Sequence, residues 1–374
     1  MKVLYLVNSL PNGGLERQLA LLATSLPRDW EPRVWAMDGG PFEGFLLDKG
    51  IPVRVRRRRA RFDPWPAAQL WQELRSWRPD IVHSWGWMPA LAAGPLCRLL
   101  RIACIDGMIQ SGALEPDFTR LKRLGMASAT LVVANTRAGL RAWGIGPARG
   151  RVVYNGFDQA RLKSLRDGPS SDPTKFSVIM TGRMRPVKDF AVVIEAARLL
   201  SRAEDRWQFV LVGDGPERER LIRQAGDLIQ RGVLAFPRPG MEVLGLVRQA
   251  DVGVLMTDAS LAREGLSNSI MEYMALGLPV VCGSGGGNPE LVREGVTGFI
   301  IPPGDADALA DRLTTLREDP ARRAAMGALG RERILRDLSV ERMVGDMLRV
   351  YAEALAKTGA RPRGVSSSDT DPRP

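Results

Sequence analysis

Residues 264–281 read EGLSNSIMEYMALGLPVV, a polar loop that leads into a helical pattern and then into an apolar run. Ser267 is a good N-cap, because its side-chain oxygen can accept a hydrogen bond from the first helical turn. The pattern therefore predicts a helix over Ser267–Leu276 and a buried strand over Pro279–Cys282. A helix followed directly by a buried strand is typical of a parallel α/β sheet.

The same alternation extends in both directions from this stretch. In the first half, the predicted strands are Val3–Val7, Arg33–Met37, Asp80–His83, Leu131–Ala134 and Val152–Tyr154, and the predicted helices are Leu15–Leu26 and Pro66–Trp77. In the second half, the further strands are Phe176–Thr181, Trp207–Gly213 and Val252–Met256, and the further helices are Phe190–Ser201, Glu217–Gln230 and Ala306–Leu316. Repeated alternation predicts an α/β protein with doubly wound parallel sheets.

Composition divides the chain into two domains. Residues 163–175 are rich in Asp, Gly, Pro and Ser, which is typical of an exposed linker. We therefore predict a first domain over 1–165 and a second over 174–337. A last helix follows over 338–356, and residues 357–374 contain almost nothing to bury, which predicts a disordered tail.

Charge and residue counts exclude several classes of protein. The 374 residues carry a formal net charge of +11, and the excess lies in residues 1–165, where 24 Lys and Arg face 13 Asp and Glu. The single histidine, His83, excludes a multi-histidine metal site. Cys97, Cys104 and Cys282 lack CxxC spacing, and we interpret them as buried free thiols of a cytoplasmic protein. Neither a signal peptide nor a transmembrane helix is predicted.

Two loops of the second half carry candidate ligand-binding residues. Arg183 and Lys188 follow a predicted buried strand, at the edge where open α/β sheets bind ligands. Two cations there can hold a diphosphate, although a solvated basic loop would have the same composition. The second loop contains Glu264 before the helix and Glu272 about one and a half turns inside it. Such a pair can contact two polar parts of one ligand, but it also occurs by chance.

Backbone N–H groups supply two candidate anion sites. Gly265, Leu266 and Ser267 lie at the N-terminus of the helix that contains Glu272. Gly13-Gly14 opens the first predicted helix, and a tight turn would use the same two glycines. Neither the dinucleotide-binding motif GxGxxG nor the phosphate-binding motif GxxxxGK[ST] occurs. The main sequence evidence for a generic dinucleotide or nucleoside triphosphate enzyme is therefore absent.

Taken together, the motifs closely resemble those of the retaining glycosyltransferases of family 4. In chain order they are Gly13-Gly14, PDIVH at 79–83, VYNGFD at 153–158, Gly182-Arg183 with Lys188, GDGP at 213–216, EGLSNSIME at 264–272, ALGLPVV at 275–281, GGNPELV at 286–292 and GFIIPPGD at 298–305. These motifs cover nearly the whole chain. The resemblance implies a GT-B fold, in which two Rossmann-like domains face each other across a cleft, with the acceptor on the first domain and the nucleotide-sugar donor on the second. It also implies that the last helix crosses back onto the first domain.

The resemblance also implies roles for the candidate residues. The positions of Arg183 and Lys188 contact the donor diphosphate, that of Glu264 contacts the sugar, and that of Glu272 contacts the ribose. Gly13-Gly14 approaches the phosphates from the other domain. No metal and no cofactor are implied, so the cations and the helix N-terminus must neutralise the leaving phosphate.

One position departs from the family pattern. Many members carry a cleft histidine at the end of the strand written here as Arg101–Gly107, where this chain has Asp106. His83 ends an earlier predicted strand. We keep His83 and Asp106 as candidates for contact with the acceptor or the sugar, while an ordinary loop carboxylate is the simpler interpretation of Asp106.

A basic run in the first domain predicts an anionic partner. Its members are Arg54, Arg56, Arg57, Arg58, Arg59 and Arg61. No nucleic-acid-binding motif accompanies them, so nucleic acid is not predicted. We predict contact with an anionic membrane surface, which attracts each nearby Lys or Arg by about 1 kcal/mol. A solvated arginine-rich surface is the alternative.

The sequence thus predicts a retaining, metal-independent glycosyltransferase that moves a sugar from a nucleoside diphosphate to an acceptor hydroxyl of a lipid-linked or cell-surface glycan. It would act in the cytoplasm, peripherally on the inner membrane face. Two alternatives stay open. A nucleotide-sugar epimerase or phosphorylase of the same fold would act without a second acceptor hydroxyl, and a non-catalytic basic membrane-binding protein would bind no nucleoside diphosphate.

Overall fold

The computed structural model describes residues 1–11, 13–57, 65–109, 116–163, 165, 172, 174–203, 206–237, 242–258 and 265–359. They form two parallel sheets, each covered by helices on both faces. The first domain comprises the elements up to Lys163 together with the last helix, and the second comprises the elements between them.

The first sheet has seven strands. They are β1 (Lys2–Val7), β2 (Glu31–Ala36), β3 (Val53–Val55), β4 (Ile81–Ser84), β5 (Ala103–Ile109), β6 (Leu131–Ala134) and β7 (Gly150–Val152). The order β3-β2-β1-β4-β5-β6-β7 is parallel throughout. The accompanying helices are α1 (Gly14–Thr24), α2 (Pro41–Asp48), α3 (Trp65–Trp77), α4 (Trp87–Leu100), α5 (Pro116–Ser128), α6 (Arg137–Trp143) and α7 (Ala160–Lys163).

The second sheet has six strands. They are β8 (Phe176–Thr181), β9 (Trp207–Val212), β10 (Leu234–Ala235), β11 (Val252–Leu255), β12 (Val280–Gly283) and β13 (Gly298–Ile301). The order β10-β9-β8-β11-β12-β13 is also parallel. Its helices are α8 (Phe190–Ala203), α9 (Arg218–Gln224), α10 (Gly226–Gln230), α11 (Val243–Arg248), α12 (Asn268–Ala275), α13 (Asn288–Leu291), α14 (Ala306–Glu318) and α15 (Pro320–Asp337). The last helix, α16 (Val340–Thr358), returns to the first sheet.

Both sheets reverse their winding beside their first strand, between β1 and β4 and between β8 and β11. The central strands are buried on both faces: Val3–Val7 and all of β8 are buried, as expected for parallel strands covered by helices. The loops after the carboxyl ends of these strands are where a doubly wound sheet binds its ligand.

The last two helices belong to different domains. Helix α15 packs in the second domain, and the chain then turns at Leu338, whose carbonyl accepts a hydrogen bond from the Phe157 N–H at 2.7 Å. Ser339 caps α16 by accepting from the Arg342 N–H. The buried face of α16, with Met347 and Tyr351 at its centre, belongs to the core of the first sheet.

The structure differs from the predicted elements at several ends. The helix predicted over Glu217–Gln230 is two helices that meet at Ala225, because Gly226 is a poor helix former. Helix α16 continues through the predicted start of the tail to Thr358 and ends at Gly359, whose φ of 63° suits a left-handed C-cap. The rest of the predicted tail, 360–374, lies outside the described residues.

Among the residues that the structure describes, no helix is both long enough and apolar enough to cross a bilayer.

Candidate functional site

The cleft-facing helix α12 begins where the opening motif predicted it. Ser267 has extended backbone angles and its side chain accepts from the Ile270 N–H at 3.4 Å. Gly265, Leu266 and Ser267 are all buried at this N-terminus. Glu264 lies outside the described residues. A capped helix with buried backbone N–H groups at its start has the physical properties of an anion site.

Side chains of α12 tie this N-terminus to the end of β8. The Tyr273 hydroxyl accepts from the Thr181 N–H at 2.6 Å and contacts the Thr181 Oγ1 at 3.0 Å. The Ser269 hydroxyl donates to the Thr181 carbonyl at 2.9 Å. Because Thr181 immediately precedes the loop that contains Arg183 and Lys188, these bonds bring the two cations to the edge at which α12 begins.

A glycine turn fixes the backbone of the cationic loop. Gly215 follows β9 with φ of 152°, and a Cβ there would lie 2.3 Å from the Met184 carbonyl oxygen. The Met184 N–H in turn donates to the Asp214 carbonyl at 2.9 Å. GDGP therefore forms a tight turn beside this loop. Within the loop, Arg183 is exposed and Lys188 is half-buried.

Glu272 forms ion pairs across the interdomain cleft. Its Oε1 accepts from Arg17 of α1 at 3.0 Å and from Arg161 of α7 at 2.8 Å. The carboxylate is mostly buried, which makes two guanidinium partners more favourable than they would be in water. Glu272 thus joins the domains, in addition to the ribose role implied by the resemblance.

Gly13 and Gly14 lie at the start of α1, opposite the start of α12. Gly13 occupies the N-cap position, and a Cβ on Gly14 would lie 2.3 Å from Nδ2 of Asn268. Gly14 therefore allows the domains to approach closely. Glu16 bends back toward the same N-terminus, and burial raises the pKa of its carboxyl while a hydrogen bond from its own backbone N–H opposes the rise.

His83 is buried in the core of the first domain. Its Nδ1 lies 2.9 Å from the Tyr351 hydroxyl of α16, and a Cβ on Gly107 would lie 2.2 Å from its Nε2. Burial lowers the pKa of His83 to about 3, so the ring is neutral near pH 7. Because alternate residues of β4 face α16, the side chain points into the core, where it ties α16 to the sheet.

Asp106 is also buried, near the end of β5. Its Oδ2 would lie 3.6 Å from a Cβ on Gly125 of α5, so the carboxyl faces that helix. Burial raises the pKa of Asp106 to about 7, while a hydrogen bond from the Gly107 backbone and the charge of Arg149 oppose the rise. The strand departs from regular pairing just after Asp106, before Ile109.

Replacing Asp106 by Asn is expected to change how stability depends on pH. Between about pH 4 and pH 7, Asp106 is protonated in the folded chain but ionised in the unfolded chain. As the pH rises through this range, the free energy of unfolding of the wild type therefore falls by about 1.4 kcal/mol per pH unit because of this group. Asp106→Asn has no such proton. Urea unfolding of both proteins at pH 5 and pH 8 should show the variant gaining stability relative to the wild type at pH 8. A relative stability that is equal at both pH values would contradict a raised pKa.

Several cleft residues were not identified from the sequence. Glu290 of α13 accepts from the Arg137 and Ala138 N–H groups at 2.9 and 2.8 Å, and from the Tyr154 hydroxyl at 3.0 Å. It therefore caps α6 of the first domain from the second. Glu290 belongs to the GGNPELV motif, but no local pattern indicates a partner 153 residues away.

Nine buried side-chain polar atoms have no partner among the described residues, and five of them follow strand ends. These five are Asn8 Oδ1, Trp85 Nε1, Asn135 Oδ1, Thr257 Oγ1 and Asn288 Oδ1, which come after β1, β4, β6, β11 and β12. The other four are His83 Nε2, Gln208 Oε1, Arg218 Nε and Arg333 Nε. Such atoms normally bind water or a ligand. This edge of both sheets therefore offers partners to a polar ligand.

A separate cavity of about 1100 Å³ lies at the opposite, amino-terminal edge of the first sheet. It is lined by Trp71, Arg75, Asp80, Leu99 and Arg101 among others, and none of the predicted site residues lines it. Volume alone therefore does not locate the site, and the convergence of N–H groups and cations at α12 is the better guide.

Two doubly wound parallel-sheet domains that meet at a cleft define the GT-B fold, the fold expected for the glycosyltransferase group that the motifs resemble. The chain belongs to this group. Residues 12–161 match the family described as Glycosyltransferase Family 4, and residues 163–333 match the family described as Glycosyl transferases group 1. The resemblance inferred from the motifs is confirmed.

Known proteins are similar to the chain along different parts of its length. It is 32% identical over 203 residues to the putative colanic acid biosynthesis glycosyltransferase WcaL of Salmonella typhimurium, a match that covers 53% of this chain and 49% of that protein. It is 36% identical over 159 residues to a GDP-mannose-dependent alpha-(1-6)-phosphatidylinositol monomannoside mannosyltransferase of Mycolicibacterium smegmatis, covering 41% and 42%. The chain therefore spans about half or less of the length of these relatives.

Among solved structures, HepE of Anabaena in complex with UDP superposes with a TM-score of 0.81 at 23% identity, covering 94% of this chain and 100% of that one. This likeness confirms the predicted fold of two Rossmann-like domains.

Proposed function

We propose that the chain is a retaining, metal-independent glycosyltransferase that moves a sugar from a nucleoside diphosphate to an acceptor hydroxyl of a lipid-linked or cell-surface glycan. One observation carries this proposal. The bonds from Ser269 and Tyr273 to Thr181 bring the N-terminus of α12 and the Arg183–Lys188 loop to one edge of the second sheet. N–H groups and cations that converge at one edge favour a diphosphate.

The chemistry follows from where charge develops. Breaking the bond between the sugar and the phosphate leaves the electron pair on the leaving diphosphate, so positive groups around that phosphate lower the barrier. Arg183, Lys188 and the N–H groups of Leu266 and Ser267 supply this stabilisation without a metal ion. Glu264 would hydrogen-bond the hydroxyls of the sugar.

Retention is proposed from the family resemblance. The acceptor oxygen would attack the anomeric carbon on the face from which the diphosphate departs, and the leaving phosphate oxygen would take the acceptor proton. No enzymic nucleophile is needed on this route, and the buried, neutral state of His83 is consistent with its having no part in proton transfer.

The remaining predicted contacts are proposed as follows. Both guanidinium contacts to Glu272 fall on Oε1, so Oε2 is the oxygen that a ribose hydroxyl would approach. Gly13 and Gly14 let the first domain approach the phosphates. Asp106 and His83 remain proposed contacts of the acceptor or sugar. Both are buried here, so such a contact requires a movement that exposes them.

Relatives point to two donor bases. HepE of Anabaena was solved with UDP-glucose, and the mycobacterial relative is GDP-mannose-dependent. We therefore propose a uridine or guanosine diphosphate sugar as the donor. Acceptors of cell-surface type are suggested by the colanic acid glycosyltransferase WcaL.

A thermal-shift screen followed by transfer assays tests the proposal. UDP, GDP and their sugars are added at about 100 times the dissociation constant, where binding to the folded chain adds about 2.7 kcal/mol of stability. The matching nucleotide sugar should then be consumed only when a suitable acceptor is present, with the product keeping the donor's anomeric configuration. Consumption without an acceptor would instead support an epimerase or phosphorylase. No shift with any nucleotide would support a non-catalytic binding protein.

We also propose that the basic run of the first domain contacts an anionic membrane. Arg54 is ion-paired with buried Glu73, and Arg57 bonds to Asp38 at 3.1 Å on an exposed surface. Arg58, Arg59 and Arg61 lie outside the described residues. Arg54 pairs with a buried carboxylate, whereas the pair between Arg57 and Asp38 is exposed and therefore weak. The attraction would therefore come mainly from Arg56 to Arg61.

Vesicles of phosphatidylglycerol and phosphatidylcholine test this contact. Recruitment should occur with the anionic mixture at low salt, weaken as salt screens the charges, and fall when Arg57, Arg58 and Arg59 are replaced by Ser. Replacement of Arg198, Arg220 and Arg336 in the second domain removes the same charge and should have little effect. Equal losses for both triple variants would indicate a general charge effect and contradict the proposed surface.

A further inference from the structure

We infer that three amide side chains, which we call the amide bridge, position the N-terminus of α12 for donor binding. The amide bridge consists of Gln18 and Asn155 in the first domain and Asn268 in the second. None of the three is among the predicted contacts of donor or acceptor. The inference rests on the proposed function, because it explains how the closed cleft would aim the N–H groups that bind the diphosphate.

The bridge crosses between the domains at the first residue of α12. Asn268 Oδ1 accepts from Gln18 Nε2 at 3.2 Å and from Asn155 Nδ2 at 3.4 Å. Asn155 Nδ2 also donates to the Leu266 carbonyl at 3.2 Å. Two first-domain side chains thus hold both the start of the helix and the residue before its N-cap.

Both first-domain members are held rigidly before they reach across. Gln18 is 2% exposed; its Nε2 donates to the Gly156 carbonyl at 3.0 Å and its Oε1 accepts from the Gly156 N–H at 2.9 Å. Asn155 is 1% exposed, and its Oδ1 accepts from Asn135 Nδ2 at 3.4 Å. Because these bonds fix the rotamers, the bridge transmits the position of the first domain to α12.

The contact at Leu266 has a direct consequence for the proposed anion site. The peptide between Leu266 and Ser267 is planar and trans, so its carbonyl and its N–H point in opposite directions. When Asn155 fixes the Leu266 carbonyl, it therefore also fixes the direction of the Ser267 N–H. Breaking the bond frees this peptide to rotate and leaves a buried carbonyl without its partner, which is costly.

Gly14 provides the space that the bridge needs. A Cβ there would lie 2.3 Å from Asn268 Nδ2. The bridge therefore forms only when α1 and α12 are in close contact, and it links donor-site geometry to closure of the domains.

A double-mutant cycle across the cleft tests the bridge. Gln18→Ala and Asn268→Ala should each lower kcat/KM for the donor about tenfold, with little change in the KM of the acceptor. The double variant should be about as active as either single one, because both remove the same interdomain bond. Asn155→Asp, which keeps the size but loses the donating amide, should show a similar donor defect. Losses that multiply to a hundredfold, or unchanged donor kinetics, would overturn the inference.

Controls separate a positioning role from a stability effect. Arg198→Ala and Asp227→Ala break an exposed pair at 2.9 Å within the second domain and should leave donor kinetics unchanged. Asn268 is half-exposed and alanine favours helices, so Asn268→Ala should fold, and thermal unfolding checks this. If Gln18→Ala does not fold, the cycle is made with Asn155→Asp and Asn268→Ala.

A further measurement distinguishes failure of the bridge from failure of the proposed function. If the wild type transfers sugar from no nucleoside diphosphate, the proposed function fails while the bridge stays testable through small-angle scattering without substrate. Asn268→Ala should then give a larger radius of gyration than the wild type, because the closed arrangement loses its contact. Identical scattering profiles would overturn the bridge.

Discussion

Arg183→Ala is expected to lower kcat for sugar transfer by about tenfold to a hundredfold, with little change in stability. The side chain is exposed, so its removal takes away few packing contacts. A hydrogen bond to a charged group contributes roughly 1.5 to 3 kcal/mol, and about 1.4 kcal/mol corresponds to a factor of ten in rate. Because the charge on the diphosphate grows as its bond to the sugar breaks, the loss should appear in kcat and not only in KM.

Arg185→Ala is the matched control, since Arg185 is an exposed cation two residues further along the same loop. It should retain kcat within about twofold. Lys188→Ala should resemble Arg183→Ala, because Lys188 lies over Gly182, with its Cε 4.0 Å from where a Cβ on that glycine would be. Equal losses at Arg183 and Arg185 would indicate a general effect of charge and contradict a specific contact with the phosphate. Steady-state kinetics with thermal unfolding of each variant provide the comparison.

The fold could be predicted because its evidence is local. Buried parallel strands such as Val3–Val7 and Phe176–Thr181 are continuous apolar runs, and each is followed by a loop and an amphipathic helix. Short edge strands were missed: Val53–Val55 and Leu234–Ala235 have too few residues to form a pattern.

The site could be predicted only where it is built from neighbouring residues. Ser267 caps α12 as its local sequence indicates, and Arg183 and Lys188 follow β8 as predicted. Contacts between the domains could not be predicted from the sequence. Arg17 and Glu272, for example, are 255 residues apart, and nothing in either segment indicates the other. The burial of His83 could not be predicted either, because Tyr351, which encloses it, comes from the end of the chain.

Gly287→Ala is expected to raise the KM for the donor tenfold or more and to lower the stability of the chain by about 1 to 3 kcal/mol. Its φ of −89° suits any residue, so the effect would come from space and not from backbone strain. The added Cβ would lie 2.4 Å from Thr136 Cγ2 in the first domain and 2.8 Å from the carbonyl oxygen of Gly265, in the loop just before α12. Neither neighbour can move freely, because Thr136 is fully buried and its Oγ1 caps α6 through the Gly139 N–H at 2.9 Å.

The clash can be relieved only if the domains open or if the loop just before α12 is displaced. Two further variants identify which atom is responsible. Gly283→Ala adds the same methyl group to a buried glycine whose nearest neighbours would be 3.9 Å away, so donor KM should stay near the wild-type value. Thr136→Ser removes Cγ2 but keeps the capping hydroxyl, and in combination with Gly287→Ala it should recover part of the lost donor affinity. Donor titrations and thermal unfolding measure both effects. A wild-type donor KM for Gly287→Ala would mean that the closed contact between Thr136 and Gly287 is not the one in which the donor binds.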